Sequence, residues 1–98
     1  MTAKRLIDKT SIALLDAASL IENYGWWNGK KYPHSKLCAF MAIDLACEDT
    51  EGDSVNCLRQ AAYTRLEKHI GNLPIIDWND GSDAVTVVTT MRNAAMDA

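Results

Sequence analysis

The residues whose types suit them to chemistry lie in three places along the chain. Cys38 stands at the start of an apolar run, just after Ser35, with His34 close in sequence. A thiol in the first turn of a helix is made more acidic by the helix dipole, so Cys38 is the best candidate nucleophile. Nucleophilic catalysis also needs an oriented base and oxyanion donors, and no pattern in the chain supplies them. The competing reading of Cys38 is a small buried hydrophobe. Trp78, Asn79 and Asp80 form the second place. They can bind a polar ligand, the tryptophan as a wall and the amide and carboxylate as specific partners. The structural alternative is stronger: Trp78 fills the core while Asn79 and Asp80 satisfy turn amides.

The third place is the loop from Tyr24 to Lys36, where Trp26, Trp27 and Tyr32 alternate with Lys30, Lys31 and Lys36. Aromatics among cations can stack bases and meet phosphates in a single strand. They are also common anchors of protein interfaces, and the structural alternative, both tryptophans in the core with the lysines merely solvated, is about as strong. Successive side chains of an extended loop point to opposite sides, so Trp26 and Trp27 should not both reach the core. Trp26 follows the helix stop at Gly25 directly and is expected to pack inward. Trp27 is expected to face outward beside Lys30, Lys31 and Tyr32, and these four are the expected partner-binding residues.

Metal chemistry is not expected. Aligning Gly52 with the glycine of a calcium loop puts Cys47 at the first ligand position and Leu58 at the twelfth, where acidic residues are required. A zinc site from His34, Cys38, Cys57 and His69 matches no zinc spacing. Cys47 cannot join Cys38 on one straight helix, because nine residues turn about 180°. His69 lies where a helix ends and is expected to meet the last carbonyls.

Composition narrows the choice. The 98 residues carry a formal charge of −3 and a pI near 5.2, which argues against a general nucleic-acid binder. With 48% hydrophobic residues, a chain of this length can bury about two-thirds of its unfolded surface and fold without disulfides or structural metal. Three cysteines make no disulfide framework, and Met1-Thr-Ala-Lys-Arg lacks the apolar core of a signal peptide, so a cytoplasmic location is expected. No apolar run reaches the roughly 20 residues of a membrane span.

The elements that must position these residues are helical. Leu14, Ala17, Ala18 and Ile21 share one stripe over about 11–23, with Thr10 as the expected cap and Gly25 as the stop. The stretch 35–48 is apolar nearly all round, which predicts a central buried helix capped by Ser35, with Leu45 in the core. Over about 54–70, Val55, Leu58, Ala62, Leu66 and Ile70 face inward, after a cap by Asp53 or Ser54. Residues 75–83 read as a buried connector ending in a helix start at Ser82 or Asp83. Val85–Thr90 is strand-like in composition, but Ala84, Val87, Val88, Met91 and Ala95 share a helical face. The expected fold is all-α, a single compact four-helix domain over 1–98 around the 35–48 helix, with 1–9 a tail or an extra helical turn.

Gly25-Trp26-x-x-Gly29, Cys38, Ala42-Ile43-x-x-Ala46 and Trp78-Asn79-Asp80 together give the chain a family likeness. It resembles a group of short uncharacterised proteins from actinobacteria and their bacteriophages. The resemblance implies a domain of unknown function and carries over no catalytic role. The expected function is that of a phage-type or bacterial accessory protein. It is expected to be no enzyme, to need no cofactor, and to act on a protein partner such as a host protein through the 24–36 loop, with self-association open. Thiol-dependent activity at Cys38 and single-strand nucleic-acid binding are the alternatives.

Overall fold

Helix α1 (Lys9–Tyr24) organises the chain, because its one apolar stripe is used against three other helices at once. Ala13, Leu14, Ala17, Ala18 and Ile21 are all buried along that stripe. The structure is a computed structural model that describes residues 8–27, 37–48 and 54–96. The remaining elements are α2 (Ala39–Cys47), α3 (Ser54–His69), α4 (Ile75–Asp80) and α5 (Ala84–Met96). Helix α1 packs against α2, α3 and α5, most extensively against α5. Small buried side chains on both sides, Ala17 and Ala18 facing a helix that buries Ala94 and Ala95, suit a close helix pair.

The all-α expectation holds, with two corrections to its layout. There are five helices among the described residues, because the stretch expected as a connector forms α4. Six residues following Pro74 are too few to show a helical period, yet Ile75, Trp78 and Asn79, at i, i+3 and i+4, turn toward the interior. The second correction concerns the 35–48 stretch. Helix α2 starts at Ala39, is capped by Cys38, and is not the centre. It buries Ala39, Ala42, Ile43 and Cys47, but Leu45 is 41% exposed. Apolar composition alone did not assign a face to Leu45. Ser35 and the turn at 49–53 lie outside the described residues, as do 1–7 and 28–36.

Local signals elsewhere account for the helix ends. Asp8, not Thr10, caps α1: its Oδ1 accepts the Ser11 N–H at 2.7 Å. Gly25 ends the helix at φ 96° and ψ 156°, a conformation reserved for glycine, and the chain leaves extended. Helix α3 buries Ala62 and Leu66, with Leu58 and Ile70 partly buried. Gly71 and Asn72 both have positive φ, which lets the Asn72 N–H return to the Glu67 carbonyl at 2.6 Å. Asp83 caps α5 by accepting the Thr86 N–H at 2.8 Å. Val87, Val88, Met91 and Ala95 are buried as the helical phase requires, joined by Ala94, whereas Ala84 is exposed.

Charged pairs tie the helices at the surface. Arg65 reaches from α3 to Asp8 through both terminal nitrogens, at 3.3 and 2.9 Å, and to Ser11 Oγ at 2.7 Å. Arg92 clasps both oxygens of Glu22 across α5 and α1. The Arg65 hydrogen bond, then those from Ser11, hold the Asp8 carboxyl well below the usual carboxylate range. Arg92 lowers Glu22, and Thr86 lowers Asp83. A lowered folded-state pKa contributes stability that is complete above the unfolded value, near pH 4, and fades as pH falls through the folded value. The melting temperature is therefore expected to drop as pH falls below about 4, and Asp8→Asn should flatten that acid limb. A pH-melting series of both proteins checks it.

Candidate functional site

Both ends of the loop expected to bind a partner are fixed by main-chain hydrogen bonds. Leu37 N–H donates to the Gly25 carbonyl at 2.8 Å, and Trp27 N–H donates to the Leu37 carbonyl at 2.9 Å. This short parallel bridge between Trp26 and Leu37 sets the entry to α2 beside the exit of α1.

Asn79 locks the arrangement from a third direction. Its side chain is completely buried, and its Oδ1 accepts the Trp26 indole N–H at 2.8 Å and the Ala39 backbone N–H at 2.9 Å. Its Nδ2 donates to the Trp27 carbonyl at 2.9 Å, with a longer contact of 3.4 Å to Asp80 Oδ1. Asn79 is thus a structural residue, but not of the kind expected. The amides ahead of α5 are served by Asp83, while Asn79 gathers the end of the α1 exit and the first turn of α2. Cys38 Sγ adds a second acceptor to that turn, 3.4 Å from the Met41 N–H. Asp80 is exposed, and Trp78 is partly buried against the core.

Trp26 packs against the core, as expected from its position after Gly25. Trp27 is half-buried where an outward tryptophan was expected. The reason is its backbone, which is held at the N–H by Leu37 and at the carbonyl by Asn79. Its indole N–H is shielded from solvent without an acceptor among the described residues. Lys30, Lys31 and Tyr32 lie outside the described residues, as does His34.

Beside the loop roots, α1 and α2 enclose a groove of about 620 Å³. Leu20, Leu37, Leu45 and Ala46 supply its apolar surface. Asp16, Ser19, Asn23 and Tyr24 line it from α1, and Tyr24 is 56% exposed. Tyr24 and Leu37 stand at the two ends of the loop, so groove and loop share a border. The volume falls in the range of binding clefts, and the mixture of apolar wall and a few polar groups is their usual lining. The sequence placed Leu45 in the core instead of on a groove wall, and the polar face of α1 did not stand out, because exposed polar residues are individually ordinary.

On the α3 side of α2, Tyr63 donates its hydroxyl to Asp44 Oδ1. Arg59 Nε lies 3.1 Å from the same oxygen, an ion-pair distance without hydrogen-bond alignment. Burial, then the bond to Asp44, pushes the Tyr63 hydroxyl well above the ordinary phenol range, and burial also raises the Cys47 thiol. Both groups are therefore held protonated and act as packing and tethers between α2 and α3. Cys38 is buried and Cys57 is exposed. Among the described residues no group of three or more His, Cys, Asp or Glu side chains could hold a metal ion.

The geometry leaves a helical scaffold with a buried polar hub at Trp26, Trp27 and Asn79. A model of a family of unknown function, DUF6197, matches residues 8–97. The chain belongs to the DUF6197 family. No curated protein and no solved structure matches it. The match to DUF6197 runs from the cap of α1 to the end of α5, so it takes in the groove, the loop and the hub together. Among the described residues of this DUF6197 member, no helix is long and apolar enough to cross a membrane.

Proposed function

We propose that this DUF6197 member is a binding module for another protein and not an enzyme. It engages the partner through the α1–α2 groove and through Trp27, together with Lys30, Lys31 and Tyr32 of the same loop. The observation that carries the reading is the exposure of Leu45 and Tyr24 on the two walls of the groove. Apolar and aromatic side chains gathered around one concavity are what a partner's anchor residues fill. The polar hub supports the reading by holding the start of α2 at Ala39, the helix that carries Leu45 and Ala46, against the loop root at Trp27. A pre-set surface binds without a large ordering cost. The setting we infer is a bacterial or bacteriophage cytoplasm, with the protein as an accessory factor and a host protein as its partner.

A photo-crosslinking residue at position 45 tests this, with position 85 as control, since Val85 is 76% exposed and belongs to α5. In native cells an adduct of defined mass is expected from position 45 and not from 85. In the purified complex, Trp27→Ala is expected to weaken capture while shifting the melting temperature by only a few degrees at most. The captured complex should change little between 50 and 200 mM salt, whereas phosphate contacts would lose orders of magnitude in affinity over that range. Equal adducts from both positions, or a steep salt dependence, would overturn the assignment.

A further inference from the structure

A second concavity lies between α3 and α4 and shares no lining residue with the α1–α2 groove. It is a pocket of about 250 Å³, the scale of one long side chain or a small ligand. Phe40 and Tyr63 line it as an edge-to-face pair, with ring centroids 4.6 Å apart and planes at 86°. Tyr63 spends its hydroxyl on Asp44, so what it can offer a ligand is its ring. Pro74, Ile75 and Ile76 complete the apolar lining, and Ile76 is left 53% exposed there. Gln60 and Glu67 also line it, two turns apart on the same face of α3 as Tyr63. Neither side chain has a hydrogen-bond or ion-pair partner among the described residues, whereas Asp8, Glu22 and Asp44 are each matched by an arginine.

We propose that this pocket binds an alkylammonium group. An unmatched carboxylate beside aromatic rings and an aliphatic wall is complementary to a cation that carries methylenes. The charge meets Glu67, the amide oxygen of Gln60 accepts an N–H, and the stem lies along Ile75, Ile76 and the rings. An anion would face Glu67 directly, and a purely apolar ligand would leave Glu67 and Gln60 without partners.

The test is titration of the full chain with n-pentylammonium chloride, followed by backbone amide NMR, with 1-pentanol as the neutral counterpart. Saturable shifts are expected at Phe40, Gln60, Tyr63, Glu67, Ile75 and Ile76. The alcohol should bind about threefold or more weakly, the scale of one solvent-accessible charge contact. Glu67→Gln should bring the ammonium down to the level of the alcohol while the melting temperature stays unchanged. Nα-acetyl-lysine methylamide, in a parallel titration, separates the two sources of the group. Binding as tight as that of pentylammonium assigns the pocket to a lysine side chain of a protein, and weaker binding assigns it to a free amine. Equal binding of ammonium and alcohol to the unmodified protein, shifts that map elsewhere, or an unchanged affinity in Glu67→Gln would overturn the proposal.

Discussion

Replacing Asn79 with alanine is expected to destabilise the protein by about 3 kcal/mol or more, the largest loss from any single polar side chain described. The substitution leaves three groups without a partner: the Trp26 indole N–H, the Ala39 N–H and the Trp27 carbonyl. Each orphaned buried polar group costs about 1–3 kcal/mol, and part of that is recovered where water enters. The losses do not simply add, because all three run through one side chain. Asn79→Asp should do no better, since it keeps the acceptor for Trp26 and Ala39 but turns a carboxylate oxygen toward the Trp27 carbonyl. Asp80→Ala serves as the control. Asp80 is exposed and holds only the 3.4 Å contact, so its replacement should cost under about 0.5 kcal/mol. Urea denaturation of the three variants separates them, and similar midpoints for Asn79→Ala and Asp80→Ala would refute the hub.

That contrast shows what the sequence could and could not convey. Trp78-Asn79-Asp80 stood out as a unit, and a structural role for it was the stronger reading. The partners of Asn79 were not legible, because they lie 40 to 53 positions away and are backbone or indole groups that leave no pattern. The helical phases of α1, α3 and α5 were legible, because each is long enough to repeat its apolar face several times. Helix α4 was not, at six residues, and the register of α2 was obscured by an excess of apolar residues. The cap at Asp8 was missed for a different reason. Thr10 is also a good cap by type, and the Asp8 carboxylate that serves instead is bonded as well by Arg65, 57 residues on and beyond the reach of any local pattern. Of the candidate site, the loop's aromatics were visible as types, but the groove was not, since Asp16, Leu20 and Tyr24 meet Leu37 and Leu45 only when α1 and α2 pack.

Leu66→Ala is expected to cost about 2–5 kcal/mol, while Leu45→Ala costs under about 1 kcal/mol. The two leucines are chemically identical and differ only in surroundings. Leu66 is fully enclosed in the core with Leu14, Ile21, Val87 and Met91, on the inner face of α3. Truncating it removes buried methyl and methylene groups and leaves a cavity that close-packed neighbours fill only in part. Leu45 is 41% exposed on the wall of the groove, so truncation removes surface that water already reaches and opens no cavity. A 98-residue protein has a total stability of only about 5–15 kcal/mol, so the Leu66 variant should melt many degrees lower, by roughly 4–8 °C for each kcal/mol lost. The Leu45 variant should melt close to the parent. Its loss should appear instead in binding, where a groove anchor is worth about 2 kcal/mol or more at a hot spot. Calorimetric melting of both variants decides the first half: a Leu45→Ala loss as large as that of Leu66→Ala would mean that Leu45 belongs to the core and that the groove closes in solution.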